Sequence, residues 1–477
     1  MSDQDGPRLV LLMENTPDLR RAYEAWSLEA VADVLKGMLA DGLERAGLQG
    51  QRRLASEFEV VALPSNVTPP EDGDVDVEAW TQDVVIGLRM TGGERSAEEL
   101  VASVPLAFGD EASIGADLPV AANAADGLWT HWCPTEATDP LFGDRAGALR
   151  AMKASADDLA GLPLPGGEAV TIAMVDTGLP EEMLPPKGQL RGWKVLVDPS
   201  DLNSLIRHPG EPLTPHGAMV ARNVRALAPA NRVRLLDCPV IPDGIIDLPV
   251  FLHSVLEALR GIRVTLRRQR RREEQAQRPR AGFVLCNAWG VFDPTEEFPG
   301  APYSSDPTHP VSRTLARIAA LDADIVFAAG NCGPFCPAPR CHPDFTGPGA
   351  GINGANALPF VLAVGAVRSD GTWLGYSGHG PGIEGMAQEK PDLCTPSQFD
   401  DGDGWGGNTG TSAATGLAAG AVALLRTRWT ATDLTPAALH AALRAQAKQP
   451  DGTDGWAPRT GHGVMDVAGT AGALAPP

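Results

Sequence analysis

The chain has 477 residues, enough for more than one domain, and 43% of them are hydrophobic, an ordinary proportion for a globular protein. Its net charge of −21 offers no general basic face for neutralising nucleic-acid phosphates, so nucleic acid is not expected as a partner. No apolar run approaches the roughly 18 residues that cross a bilayer, so no membrane partner is expected, and seven scattered cysteines do not suggest a secreted disulfide framework.

"RLVLLME" reads as a first strand. Its apolar part, Leu9–Met13, is shorter than the ~7–15 residues of a secretory core and lacks a preceding basic segment, so a cytoplasmic location is expected. "SLEAVADVLKGMLADGLERAGL" has apolar residues at helical spacing, with Ser27 as N-cap. "FEVVALP" and "TQDVVIGLRM" read as strands and "SAEELVASV" as a short helix. The order β-α-β-β-α predicts a small α+β domain over residues 1–110. A stretch rich in Asp and Ala follows, and residues 111–138 are expected to be a linker.

From residue 139 to 477 the pattern changes. "AVTIAMVDTG", "RVRLLDCPV", "GFVLCNAWG", "DIVFAAGN" and "FVLAVGAV" are short, continuously apolar runs of the kind that form parallel strands buried on both faces. Between them lie helical patterns, including "HGAMVARNVRAL", "LPVFLHSVLEALRGI" and "VSRTLARIAAL". The alternation predicts a mostly parallel sheet covered by helices on both sides, in an α/β fold. In such sheets ligands meet the carboxyl ends of the strands.

Three residues occupy such ends. Asp176 closes "TIAMVDTG", His216 opens a helix after Pro215, and Ser412 opens the helix of small residues in "NTGTSAATGLAAG". Taken singly, Asp176 fits a turn, His216 a surface position and Ser412 a helix N-cap. Taken together they supply the carboxylate, imidazole and hydroxyl that acyl transfer by serine needs. Asn331, at the end of "DIVFAAGN", adds a side-chain amide able to donate to an oxyanion, with the backbone N–H of Ser412 as the second donor.

The ordered blocks "VDTG", "HGAMVA", "AAGN" and "GTSAA" resemble those of the subtilisin-like (subtilase) serine proteases over residues 139–477. The resemblance implies a three-layer α/β/α catalytic domain and a serine endopeptidase. Asp176, His216 and Ser412 would be its triad, with Asn331 and the Ser412 N–H as its oxyanion hole. It also implies that an extended peptide is clamped as an added strand along Ala288, Trp289 and Gly290 and along Ala328, Ala329 and Gly330. Trp289 would either narrow a subsite or pack inside. The chemistry requires no cofactor; the family often carries structural calcium, but the sequence displays no clear ligand cluster for it. Two positions depart from the family pattern: Ala218 stands where Thr is usual, and Thr415 where Pro is usual. The alternative is a binding or regulatory protein that keeps the fold without turnover.

Three other features stand apart. Cys332, Cys336, Cys341 and His342 form no standard zinc spacing, so free thiols or a Cys336–Cys341 bridge are expected. The basic run Arg267–Arg280 reads as a solvated helix extension, with docking of an acidic partner or of the acidic N-terminal region as the sharper alternative. The order of elements in residues 1–110 resembles the inhibitory propeptide of many subtilases, which implies an N-terminal region that binds the active-site face and leaves a tail, within 105–136, in the cleft.

Overall fold

A computed structural model of the chain describes residues 6–24, 27–62, 83–109, 112–122, 142–196, 206–212, 214–241, 250–401 and 407–477. The N-terminal elements are β1 (Arg8–Glu14), α1 (Pro17–Glu24), α2 (Leu28–Arg45), β2 (Phe58–Ala62), β3 (Asp83–Met90), α3 (Gly93–Phe108), β4 (Ser113–Ala116) and β5 (Pro119–Ala122). Ser27 caps α2 as expected, its Oγ accepting from Ala30 N at 3.1 Å. Four strands form an antiparallel sheet in the order β2-β3-β1-β4. The linker expected from 111 onwards instead begins with the two strands β4 and β5; residues 123–138 lie outside the described residues.

The larger region comprises α4 (Arg145–Ala151), β6 (Val170–Val175), β7 (Val195–Leu196), β8 (Ile206–Arg207), α5 (Pro215–Leu227), β9 (Val233–Cys238), β10 (Val250–Phe251), α6 (Leu252–Gln275), β11 (Gly282–Asn287), β12 (Trp289–Gly290), α7 (Pro310–Ala319), β13 (Asp324–Ala328), β14 (Leu362–Val367), β15 (Leu393–Pro396), β16 (Phe399–Asp400), β17 (Gly407–Asn408), α8 (Gly410–Arg426), α9 (Pro436–Gln446) and α10 (Val467–Ala473). Six strands form one parallel sheet in the order β15-β14-β13-β11-β6-β9.

Alternate residues of β6 enter two cores, as the pleat requires. Val170, Ile172 and Met174 join residues of α5 and α8 on one side. Ala173 and Val175 join residues of α6 and α7 on the other. This is a three-layer α/β/α arrangement.

The same alternation docks the N-terminal sheet. Leu9, Leu11 and Met13 of β1 pack under their own helices. Val10 and Leu12 point the other way, into the core built by α6 and α7. The two regions therefore share a continuous apolar contact. Polar groups pin it: His253 Nδ1 lies 2.8 Å from Asp117 Oδ2, and Arg8 is 3.5 Å from the same oxygen. Burial would raise the Asp117 carboxyl, but His253 and Arg8 outweigh it and hold it below its ordinary value.

Residues 267–275 of the basic run are the last turns of α6, and 276–280 follow it. Arg270 pairs with Glu273 at 2.8 Å and also donates to the carbonyls of Leu321, Ala281 and Asp322. Two earlier arginines of α6 meet the N-terminal region: Arg260 donates to the Asp83 carbonyl at 2.6 Å and Arg263 pairs with the Asp83 carboxylate.

At the amino end of β13, Arg426 at the end of α8 pairs with Asp324 at 2.6 Å, and both side chains are fully buried. His440 stands 3.4 Å from the same carboxylate. Burial alone would raise Asp324; Arg426 and His440 overcome it and bring the carboxyl to about 2. Its stabilising contribution is complete above the unfolded value near 4 and is lost as pH falls towards 2. Asp324→Asn should cost about 3–5 kcal/mol, because it strands a buried guanidinium, and urea unfolding at pH 7 measures the loss.

Candidate active site

Parallel β6 and antecedent loops bring the expected residues to one edge. Asp176 directly follows β6. His216 is the second residue of α5, behind Pro215 at the favoured first helical position. His216 Nδ1 and Asp176 Oδ1 are 2.6 Å apart and both side chains are buried. Thr177 N–H also donates to Asp176 Oδ1 at 2.7 Å, which fixes the carboxylate's orientation. The Thr177 hydroxyl accepts from Gly217 N at 3.0 Å and meets Thr214 Oγ1 at 3.1 Å, tying the Asp loop to the helix that carries His216.

This approach leaves no room for a side chain at 217. A Cβ there would stand 2.3 Å from the Gly178 carbonyl oxygen. Ala218 fills the position where Thr is usual and is buried.

Ser412 sits in the first turn of α8 and is fully buried. Its Oγ donates to the Ala288 carbonyl at 3.2 Å. His216 Nε2 is buried with no hydrogen-bond partner among the described residues. The serine hydroxyl therefore bonds the backbone between β11 and β12 and not the imidazole; catalytic hydrogen bonds are often long before substrate arrives. Thr415, in place of the usual Pro, donates its hydroxyl to the Thr411 carbonyl at 2.7 Å, so it braces the first turn by a bond that proline would lack.

The small residues of α8 have a defined partner. A Cβ on Gly416 would meet the Val220 carbonyl at 2.7 Å, and one on Gly420 the Val224 carbonyl at 2.6 Å. They let α8 press against α5, so the serine helix and the histidine helix are fixed to each other.

Asn331 follows β13 and is fully buried. Its Oδ1 accepts from Thr411 N at 3.0 Å and Thr411 Oγ1 at 2.8 Å. The carbonyl end of the amide is thus held against the residue before Ser412, and its donor end is turned the other way. The N–H groups of Gly410 and Ala413 are taken by Tyr376 Oη and the Thr409 carbonyl. Ser412 N lies between them at the positive end of the helix.

β5 lies across this edge. It pairs antiparallel with β12, Ala122 opposite Trp289 and Ala121 opposite Gly290. On its other side it pairs antiparallel with β10, Val120 opposite Val250 and Pro119 opposite Phe251. The clamp around this strand is therefore β12 and β10. Of the expected segment Ala288, Trp289 and Gly290, the last two pair with β5. Ala328, Ala329 and Gly330 do not flank it as a second edge: Ala328 pairs with Val364, Ala329 N donates to the Val364 carbonyl, and Gly330 O accepts from Gly378 N. Val250 and Phe251 were missed, since two residues carry no strand periodicity. The Trp289 ring packs inside, edge-on to Phe327 at 5.2 Å, with Nε1 donating to Asn287 Oδ1 at 3.1 Å. It fills the core and does not narrow a subsite.

A second buried acid was also missed. Asp237, in β9, pairs in register with Met174, two residues before Asp176 on the adjacent strand. Its Oδ2 accepts from Leu179 N at 3.1 Å and Gly210 N at 3.0 Å. One carboxyl thus joins the loop after Asp176 to the loop before His216. Burial raises it to about 7 against the pull of those two N–H groups, and the neighbouring Asp176 adds to the rise. The available signal was an acid near the end of the apolar run "RVRLLDCPV".

The cysteine cluster resolves differently from either expectation. Cys332 and Cys341 are joined, with Cα atoms 5.6 Å apart, and Cys336 is also disulfide-bonded, which removes the free-thiol and the Cys336–Cys341 readings. Adjacent position along the chain said nothing about which Cβ vectors face each other. Among the described residues no group of three or more His, Cys, Asp and Glu side chains could hold a metal ion. No helix among them is long and apolar enough to cross a membrane.

With this geometry in place, comparison with known proteins adds a family. A sequence model of the subtilase family matches residues 167–463. No curated protein matches the chain. Among solved structures, the chain is similar to the epidermin leader peptide processing serine protease (EpiP) from Staphylococcus aureus, at 14% identity and a TM-score of 0.52 over 98% of each chain. It is also similar to fervidolysin from Fervidobacterium pennivorans, a keratinolytic enzyme related to subtilisin, at 12% identity and a TM-score of 0.50. That alignment takes in all of this chain and 62% of fervidolysin. At these identities the likeness is one of fold.

Gly217→Ala should push the Gly178 carbonyl aside and loosen the bond between His216 and Asp176. The expected outcome is loss of the low-field imidazole proton resonance of that bond in the ¹H NMR spectrum, together with a lowered Tm; an unchanged resonance would show that the close approach is not what holds it.

Proposed function

The chain belongs to the subtilase family of serine proteases, and on that footing we propose that it is an endopeptidase in which Ser412 attacks the scissile carbonyl. His216 takes the serine proton as general base and returns it to the leaving amine as general acid. Asp176 holds the imidazole in the tautomer with Nδ1–H towards the carboxylate and stabilises its charged form. Asn331 and the Ser412 N–H receive the oxyanion. The reading is carried by the buried 2.6 Å contact between His216 Nδ1 and Asp176 at the sheet's carboxyl edge, beside the helix start that presents Ser412.

A substrate would lie where β5 now lies, as a strand between β12 and β10, with backbone hydrogen bonds on both sides. The N-terminal region thus regulates the enzyme by filling its own cleft with a substrate-like strand. Its apolar face on α6 and α7 and the Asp117–His253 contact support a docked, inhibited form.

Ser412→Ala should lower peptide hydrolysis by several orders of magnitude. Intact-mass analysis of wild type beside this variant tests regulation: a Ser412-dependent cut within residues 105–136 would mark a self-processing N-terminal region. If the chain stays whole while peptides are cleaved, self-processing is excluded. Activity that survives Ser412→Ala would remove the assignment altogether.

The docked form should weaken in acid. His309 Nε2 donates to the Ala116 carbonyl at 2.9 Å, while Nδ1 accepts from Val311 N at 3.2 Å, an arrangement that needs a neutral ring. Burial lowers this imidazole to about 4. Its contribution is complete above the ordinary histidine value near 6.5 and is lost as pH falls through about 4. Protection factors at the amides of β5, exchange rates taken relative to the intrinsic rate at each pH, should therefore fall between pH 6.5 and 4, and His309→Gln should flatten that dependence.

We read the three disulfide-bonded cysteines of the loop after Asn331 as the mark of an oxidising compartment, in place of the cytoplasmic location expected from the N-terminus. Non-reducing peptide mapping of the native protein checks the Cys332–Cys341 bridge.

A further inference from the structure

Ala121 of β5 is fully buried. Its methyl group packs in a small apolar cluster with Phe292, Cys332 and Ala338, with Cys341 at the rim. Three of these four neighbours belong to the loop that leaves Asn331 and closes on itself through the Cys332–Cys341 disulfide. The loop is fastened at several points. Ala338 N donates to the Asn331 carbonyl at 2.9 Å, and His342 N donates to the Phe292 carbonyl at 3.1 Å. The Arg340 guanidinium lies over the Phe292 ring at 4.0 Å. A wall that is cross-linked, hydrogen-bonded and covered from behind has little freedom to retreat before a larger side chain.

The register says which substrate residue would meet that wall. Ala121 is opposite Gly290 and Ala122 opposite Trp289. Ala288, the next residue towards the site, is the one whose carbonyl holds Ser412 Oγ. In an antiparallel ladder the residue at which Ser412 works is therefore two places after the residue opposite Gly290. Strand pleating separates the neighbours of Ala121: Val120 points into the other core, with Trp289. Ala121 faces the disulfide-bonded loop.

We propose that the loop Cys332–Cys341, together with Phe292, is a specificity element that restricts the third residue before the scissile bond to side chains no larger than alanine. The inference rests on the endopeptidase reading above and names its substrate class: extended protein segments carrying Gly, Ala or Ser at that position. It also gives the cysteine cluster a function that neither zinc binding nor free thiols supplied.

The test is a set of internally quenched peptides that differ only in the third residue before the cut, the cut being located by mass spectrometry. Inserting extra carbons into a rigid apolar pocket costs enough to slow Leu or Phe peptides about tenfold or more in kcat/KM relative to Ala. Phe292→Ala, and separately the double substitution Cys332→Ser/Cys341→Ser, should largely remove that gap. Equal rates for Ala and Leu in the wild type would overturn the proposal, and so would a gap that survives both changes.

A second readout uses the intact chain and no turnover. Ala121→Leu should loosen the docked strand and speed labelling of Ser412 by a fluorophosphonate, and adding Phe292→Ala should return the rate towards that of Phe292→Ala alone. Labelling that is the same with Ala or Leu at 121 would count against the closed pocket. Absence of any Ser412-dependent labelling or cleavage would instead sink the endopeptidase reading on which it rests.

Discussion

Everything at the carboxyl edge of the sheet depends on how closely two backbone segments approach α5. On one side the loop after Asp176 comes near enough that Gly217 can carry no Cβ. On the other, α8 presses against the same helix through Gly416 and Gly420. Between these contacts the imidazole of His216 has one place to go, against Asp176. The carboxylate, ring and hydroxyl come from elements separated widely in sequence. How their parent segments pack is settled by close backbone approach, which is why glycines and buried alanines dominate the neighbourhood. Asp237 strengthens the same junction from below by accepting hydrogen bonds from both loops that flank the pair.

The N-terminal region obeys a related constraint. Its sheet has two apolar faces, and only one can be covered by its own helices. The other needs α6 and α7, and once it is placed there the chain beyond β4 is delivered to the cleft as β5. The inhibition proposed for the N-terminal region would therefore require no separate device. It follows from where the second face is buried and from the short span between β4 and β5.

The residues that a sequence reader could find were those at abrupt changes of pattern. Asp176 ends a run of six buried residues, His216 follows a helix-starting proline, and Ser412 begins a helix of unusually small side chains. The five longer strands of the parallel sheet were legible for the same reason, since each is a bounded apolar run. β5, β10 and β15 were not, because runs of two to four residues acquire strand geometry only from a tertiary partner. The direction of Trp289 was equally hidden: its backbone position could be inferred from the block around it, but the ring's choice of Phe327 and Asn287 depends on what lies behind the strand. Disulfide pairing failed on geometry, since neighbours in sequence need not present facing Cβ atoms.

The central claim is that Asp176, His216 and Ser412 act as one unit. Fluorophosphonate labelling followed by peptide mass mapping tests it most directly. A single adduct on Ser412, suppressed by His216→Ala and strongly slowed by Asp176→Asn, is the predicted result. An adduct on another residue, or labelling of Ser412 that is indifferent to both substitutions, would contradict the account.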